Sequence, residues 1–159
     1  MGVYTIVRMA HEYSVLNLFA IINHNDSYIN SIWAGEFKMS ENKLWLVVQY
    51  PLKSAKGSQR DQWLKDKVME YLELSLADAD LGCVDGFDMG VCISDPKKYA
   101  LNIFCVVSEE ERSIALVKRV LRESRLDYTR IKIATMPYGE EGTYTLKYAH
   151  KKGVADFTL

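Results

Sequence analysis

Two runs of apolar residues limit the folds open to this chain more than any other feature of its sequence. They cover Leu44 to Tyr50 and Tyr99 to Val107, and Asn102 is the only polar residue of the second run. Short runs rich in β-branched and aromatic residues are typical of strands, and strands without alternation are covered on both faces. Pro51 ends the first run because proline cannot donate a hydrogen bond to a neighbouring strand. We therefore expect two inner strands.

A helix is predicted after each run. The first begins after Ser58, an N-cap residue with Asp61 three positions later, and extends to about Leu76. Its expected core-facing residues are Leu64, Val68, Tyr71, Leu72, Ser75 and Leu76. The second follows a capping box of Ser108 and Glu111, with acids at its start and bases towards its end, as the helix dipole favours. Its expected buried residues are Ile114, Val117, Val120 and Leu121.

Shorter patterns complete the order of elements. Strands are predicted at residues 83–84, 129–134 and 144–148. From residue 44 the order is strand, helix, strand, strand, helix, strand. This order predicts an α+β fold with a ferredoxin-like βαββαβ core at residues 44–136, in which two helices cover one face of a four-stranded antiparallel sheet. We expect one domain over residues 1–159, with an N-terminal extension at 1–43 and a C-terminal strand and tail at 137–159 that frays from Lys151.

The first forty residues suggest several elements. Val3 to Val7 has the composition of a short strand. Residues 13–33 fit a strand or a short helix, then a turn, then a second element that ends near Trp33. The longest apolar run there, Leu18 to Ile22, is too short for a signal sequence or a membrane span. We therefore expect a cytoplasmic protein with no membrane partner.

The chain is long enough to fold without a disulfide or a metal. With 159 residues and 48% hydrophobic content, it can bury roughly 68–70% of the surface that its unfolded form exposes. Its cysteines, Cys83, Cys92 and Cys105, form no C-x-x-C pair, and reduced thiols of a cytosolic protein are the simplest interpretation. A bridge between Cys83 and Cys92 is an open alternative.

The sequence contains no motif for catalysis, a metal or a cofactor. His11, His24 and His150 lie far apart, and neither a nucleophile elbow nor a P-loop is present. Residues 101–107 lack the aromatic pattern of an RNA-recognition strand, so we expect no direct contact with nucleic acid. We therefore assign no catalytic residue, metal or cofactor.

Glycines punctuate the segment between the two helices. Gly82, Gly86 and Gly90 recur every four residues, and we expect a tight turn over residues 84–90. Two alternatives place function at this turn. One is an enzyme that uses Asp85, Asp88 and Cys83, and the other is a small-molecule sensor that uses the turn as a ligand pocket in an oligomer.

Local charge is the most unusual feature of the sequence. The net charge is -1, yet residues 70–95 contain seven acids and no base, and residues 112–132 contain seven bases. These runs could be two solvated faces that neutralise each other. They could also include an acidic patch for a basic protein partner, because such fields accelerate and orient association. The candidate partner-binding residues are Glu70, Glu73, Asp78, Asp80, Asp85 and Asp88.

Residues 79–139 contain motifs that resemble a known group. The motifs are Val84-Asp85-Gly86, with Gly90 four residues later, then Asn102-Ile103-Phe104, a helix, and Tyr138-Gly139. They are similar to those of small uncharacterised bacterial ferredoxin-like proteins, some of which look like immunity proteins, the cytoplasmic antidotes to toxins. The resemblance implies a non-enzymatic module that neutralises a basic toxin domain, for example a nuclease. It supplies no catalytic residues, no oligomeric state and no identity for the toxin.

Overall fold

The computed structural model describes residues 43–159. The expectations for Val3 to Val7, for residues 13–33 and for His11 and His24 lie outside the described residues. The elements, in chain order, are β1 Leu44–Leu52, α1 Gln59–Asp78, β2 Gly82–Cys92, β3 Asp95–Val107, α2 Glu110–Glu123, a short 3-10 helix Tyr128–Arg130, β4 Lys132–Pro137 and β5 Thr145–Ala149.

The strands form one five-stranded sheet in the order β2-β3-β1-β4-β5. All four pairings between neighbouring strands are antiparallel. The predicted α+β class, with an antiparallel sheet and two helices, is confirmed. The arrangement is compatible with a ferredoxin-like fold, to which β5 adds a fifth strand.

The core lies between the two helices and one face of the sheet. Leu46, Val48 and Tyr50 of β1 are at most 1% exposed and belong to one apolar cluster with residues of both helices. The helix residues of this cluster that are buried are Leu64, Val68, Leu72, Leu76, Leu116, Val117 and Leu121. Val47 alternates to the other face of β1 and is also fully buried. The prediction that the first apolar run is covered on both faces is therefore confirmed.

The start of α1 is as predicted, whereas the start of α2 is not. The Ser58 side chain accepts a hydrogen bond from the Asp61 amide, and the Asp61 carboxylate accepts one from the Ser58 amide. The N-cap of α2 is Glu109, without a side-chain cap. Ser108 instead donates its backbone amide and its hydroxyl to the carbonyl oxygen of Leu81. Ser108 therefore ties the end of β3 to the start of β2 and does not cap the helix.

Three element boundaries differ from the predictions. Residues 84–90 were expected to form a turn, but residues 82–92 form a strand that pairs with β3, with Asp85 left unpaired at a register shift. This strand displaces the hairpin turn to residues 93–94 and lets β3 begin at Asp95, before Pro96. Residues 128–130 form a 3-10 helix, so β4 begins later than the predicted strand and ends at Pro137. Pairing between strands distant in sequence decided the first two boundaries, and a local 3-10 helix decided the start of β4.

The cysteines are unbridged. Cys83 and Cys92 lie near opposite ends of β2, and nine residues of strand span roughly 30 Å. A disulfide needs Cα atoms within about 7 Å of each other, so these two cannot be bridged within this strand. Cys105 is fully buried in the core, and burial raises the pKa of its thiol.

Two leucines of α1 test the assignment of its faces. Leu72 is fully buried, whereas Leu74 is 62% exposed. We expect Leu72→Ala to lower the free energy of unfolding by roughly 2–5 kcal/mol, because it leaves a cavity in the core. Leu74→Ala should change it by less than about 0.5 kcal/mol. Urea unfolding of both variants measures the difference, and equal midpoints would contradict the assignment.

Candidate partner-binding surface

Strand β2 is an edge of the sheet that residues 43–159 form, where its only neighbour is β3. An edge strand presents unpaired backbone amides and carbonyls that can pair with another chain. β2 is eleven residues long, and its register shifts between Val84 and Gly86 and again between Val91 and Cys92. Such irregularities bend and twist an edge and limit indiscriminate strand pairing.

Gly82 sets the close approach of β2 to β3. Its φ is +149°, and a Cβ atom at this position would lie 2.0 Å from the carbonyl oxygen of Val106 and 2.9 Å from the Cα of Val107. Both contacts are with backbone, which cannot rotate away as a side chain could. Gly86 and Gly90 have no such neighbours within 4 Å. The three regularly spaced glycines therefore lie in two different environments, crowded at Gly82 and open at Gly86 and Gly90, rather than in one turn.

All six predicted acids are exposed, and they lie in one continuous stretch of the chain, residues 70–88. Glu70, Glu73 and Asp78 lie in the second half of α1, Asp80 lies in the connection to β2, and Asp85 and Asp88 lie in β2 itself. α1 packs directly on β2, but not all of the carboxylates lie on one side, because Asp88 is opposite Asn102 on the sheet face away from the helices. The six acids thus lie on α1, on its connection to β2 and on β2, rather than at a turn.

The six carboxylates are engaged differently. Glu73 accepts a hydrogen bond of 2.6 Å from the Val84 amide, which it covers at the edge of β2. Glu70 pairs with Lys67 at 2.6 Å. Within residues 43–159, Asp78, Asp80, Asp85 and Asp88 have no lysine or arginine within ion-pair distance. These four are the carboxylates best placed to meet a basic partner.

Asp85 and Asp88 do not form one site with Cys83. Asp85 lies at the register shift, Asp88 is opposite Asn102, and five residues of strand place Cys83 roughly 15 Å from Asp88. Burial raises the pKa of the Cys83 thiol, and the charges of Glu73 and Asp85 raise it further. A reactive thiol needs a lowered pKa, so this environment disfavours a thiolate nucleophile. Cys83 and Asp88 are therefore too far apart to act on the same substrate atom, whereas Asp85 lies closer to Cys83.

Sequence reasoning missed the apolar part of this surface. On α1, Trp63 is 52% exposed, Tyr71 39% and Leu74 62%. Trp63 and Leu74 are eleven residues apart, which is about three helical turns, so they share one outer face. Tyr71 was assigned to the core stripe but lies beside that outer face. On β2, Phe87 and Val91 are about half exposed, and Lys65 lies 4.3 Å from the Phe87 ring centre.

The basic run does not neutralise the acidic one. None of the ion pairs among residues 43–159 joins the two runs. Several bases serve local contacts instead: Arg112 pairs with Glu109, Arg130 pairs with Asp127, and Lys118 lies over the Tyr148 ring. The two runs nevertheless adjoin, because Arg112 and Arg119 line one cleft with Ala79 and Leu81, the chain neighbours of Asp78 and Asp80.

A cleft of about 330 Å³ lies between the end of α1 and the side of α2. It is lined by Ala79, Leu81, Arg112, Ala115, Leu116 and Arg119. Two guanidinium groups beside apolar side chains are a combination that suits an anionic small molecule. Leu81 directly precedes Gly82, so the cleft adjoins the start of β2, although Gly82, Gly86 and Gly90 are not among its lining residues.

Comparison with protein-family models, with curated proteins and with solved structures found no significant match to this chain. Within residues 43–159, no three histidine, cysteine or acidic side chains are grouped so that they could hold a metal ion. Neither α1 nor α2 is long and apolar enough to cross a membrane.

Two glycines of β2 provide a matched test of the edge. We expect Gly82→Ala to destabilise the protein by at least about 1–3 kcal/mol, because the new Cβ collides with the backbone of β3 at a positive φ. Gly90→Ala has open space and should be neutral or stabilising by up to about 1 kcal/mol. Thermal unfolding followed by circular dichroism compares them. Similar melting temperatures would show that the close approach of β2 to β3 is wrong.

Proposed function

We propose that this protein is a non-enzymatic protein-binding module of the immunity type, which neutralises a toxin by binding a basic surface of it. We also propose that residues 44–137 form a ferredoxin-like βαββαβ core, on the basis of the strand order β2-β3-β1-β4 and the antiparallel pairings. The binding surface consists of β2 and the outer face of α1.

The observation that supports this proposal best is the combination of free carboxylates and exposed apolar side chains on these two elements. Asp85 and Asp88 have no basic partner among the described residues, and Trp63, Leu74 and Phe87 are each about half exposed or more. Protein interfaces commonly combine a few large apolar or aromatic anchors with a polar rim. Either feature alone is ordinary on a protein surface, but their coincidence along an open edge strand favours a binding role.

A basic toxin domain fits the charge of this surface. A protein that cleaves nucleic acid must be positive where it holds phosphate. Carboxylates can occupy or flank that region, and rim charges of this kind mainly set the association rate and its dependence on salt. Apolar anchors mainly set the dissociation rate.

The double variant Asp85→Lys/Asp88→Lys tests the electrostatic part. The binding partner to use is the product of the gene immediately upstream, co-purified or added in a kinetic binding assay. We expect the association rate to fall about tenfold or more at low salt, and the difference from the natural protein to shrink at high salt. The matched control is Glu111→Lys/Glu123→Lys, which makes the same change in charge on exposed positions of α2. Circular dichroism verifies that both variants fold.

Equal effects of the two double variants would show that only net charge matters and would contradict a specific acidic surface. Trp63→Ala tests the apolar part separately. We expect it to weaken binding by about tenfold or more through faster dissociation, with little change in association rate or salt dependence. Unchanged dissociation would remove α1 from the surface.

The cleft between α1 and α2 favours a second candidate function, a sensor of an anionic small molecule. A thermal-shift panel of nucleotides and acidic amino acids tests it, because a ligand that binds only the folded state raises the melting temperature. The expected result is stabilisation by one anion that Arg119→Ala abolishes. Stabilisation that survives this substitution would place the ligand elsewhere, and no stabilisation by any anion would count against the sensor.

A further inference from the structure

The sheet face that turns away from the helices carries a row of polar side chains. Asp88 of β2 is opposite Asn102 of β3, Asn102 is opposite Gln49 of β1, and Gln49 is opposite Lys132 of β4. The row thus crosses four neighbouring strands at one level. Residues opposite each other on neighbouring strands project to the same side of a sheet, so these four side chains form a continuous polar line.

The middle of this row is buried. Gln49 is 6% exposed and Asn102 is 2% exposed, and the Gln49 Nε2 donates a hydrogen bond of 2.9 Å to the Asn102 Oδ1. A buried amide is costly unless its donors and acceptors are paired, and the Gln49 side chain has a second N–H to satisfy. An apolar pair would fill an inner sheet position at lower cost. A buried amide pair at this place therefore needs further hydrogen-bond partners for the donors and acceptors that it leaves unpaired.

The last residues of the sequence meet that need. Gln49 Nε2 also donates to the carbonyl oxygen of Thr158 at 2.8 Å, and Lys132 Nζ donates to the carbonyl oxygen of Asp156 at 3.2 Å. The acceptors are main-chain carbonyls two residues apart, the spacing at which an extended segment repeats its orientation. Recognition through the main chain depends little on which side chains the bound segment carries.

Further contacts hold the same segment at both sides. The Ile93 amide donates to the carbonyl oxygen of Leu159 at 2.7 Å, and the hydroxyl groups of Ser94 and Thr158 are 2.6 Å apart. The Phe157 ring packs against Tyr144, with ring centres 5.9 Å apart. The tail that was expected to fray from Lys151 is thus anchored to β1, β4 and the β2–β3 turn. These partners are distant in sequence, so local sequence patterns did not predict them.

We propose that this sheet face is a binding site for an extended peptide segment, and that residues 156–159 occupy it as an internal ligand. The partner is a strand-like segment of another protein. Gln49 and Lys132 bind two of its carbonyl groups, and Tyr144 receives an aromatic side chain placed between them. The site is separate from the apolar anchors on α1, and its ligand is a peptide main chain rather than a basic domain.

The internal ligand is held by local contacts that can open. Residues 154–159 belong to no strand or helix, and Asp156 and Thr158 are exposed. Segments with few buried apolar contacts open without unfolding the rest of the protein. A partner that offers the same main-chain contacts can therefore replace residues 156–159.

Hydrogen exchange of the natural protein tests whether the segment opens by itself. The Ile93 amide is bonded to Leu159, whereas the Val48 amide lies in the central strand. We expect the Ile93 amide to exchange at least about a hundredfold faster than that of Val48, because it needs only local opening. Equal protection of the two amides would overturn the proposal, since residues 156–159 would then leave only on global unfolding.

Binding in trans tests the site itself. The full chain carrying Phe157→Gly, whose own segment is weakened, is titrated into a fluorescein-labelled peptide Gly-Val-Ala-Asp-Phe-Thr-Leu, and anisotropy is recorded. We expect saturable binding of one peptide per chain, an affinity lower by about tenfold or more when Lys132→Met is added, and a weaker affinity for a peptide with glycine in place of phenylalanine, because it lacks the contact with Tyr144. A folded Phe157→Gly variant that binds neither peptide, or both equally, would overturn the proposal. If Phe157→Gly unfolds the protein, the segment is part of the core fold and the proposal fails.

Discussion

The packing of the helices onto β1 is the contact on which the rest of the structure depends. β1 lies at the centre of the sheet, and Leu46, Val48 and Tyr50 project from it into the cluster that both helices cover. Burial of one such side chain contributes about 1.5–3 kcal/mol relative to its exposure. The Tyr50 hydroxyl donates a hydrogen bond of 3.0 Å to the carbonyl oxygen of Leu126, so its polar atom is satisfied as well. β3 and β4 pair with β1 directly, and β2 and β5 pair in turn with β3 and β4.

A central β1 leaves β2 exposed as an edge, and the properties of that edge follow from this position. Glu73 covers one backbone amide, Gly82 allows close pairing with β3, and the register shifts bend the strand. Charged side chains are one means by which proteins protect an edge from indiscriminate pairing. Asp85 and Asp88 serve that purpose whether or not a partner binds. Our proposal gives these carboxylates a second role, since the features that prevent random pairing also select for a partner of opposite charge.

The face away from the helices poses a different problem, because its centre is buried and polar. Gln49 and Asn102 satisfy each other in part, and Thr158 accepts the remaining Gln49 donor. The sheet thus has one face whose apolar side chains pack against the helices, and an opposite face on which Gln49 and Lys132 donate hydrogen bonds to main-chain carbonyl groups. The two proposed sites depend on different chemistry, charge at the edge and amide hydrogen bonds on the face. Asp88 lies in both, so Trp63→Ala on α1 and Lys132→Met on the sheet face are the variants that test them independently.

The sequence by itself determined the elements whose signals are local. The Ser58 capping box, the buried leucines of α1 and the two apolar runs all depend on neighbours within a few residues, and the structure contains them as predicted. Contacts distant in sequence decided the rest. Pairing with β3 made residues 82–92 a strand, although three glycines suggested a turn. Ser108 does not cap α2 as expected, because its hydroxyl donates a hydrogen bond to the carbonyl oxygen of Leu81. The acidic run could be found from the sequence composition. The exposure of Trp63 and the polar row through Gln49 could not, because they depend on how the helix packs and how the strands align. Periodicity and capping act within one element, whereas register and edge position are properties of the whole sheet.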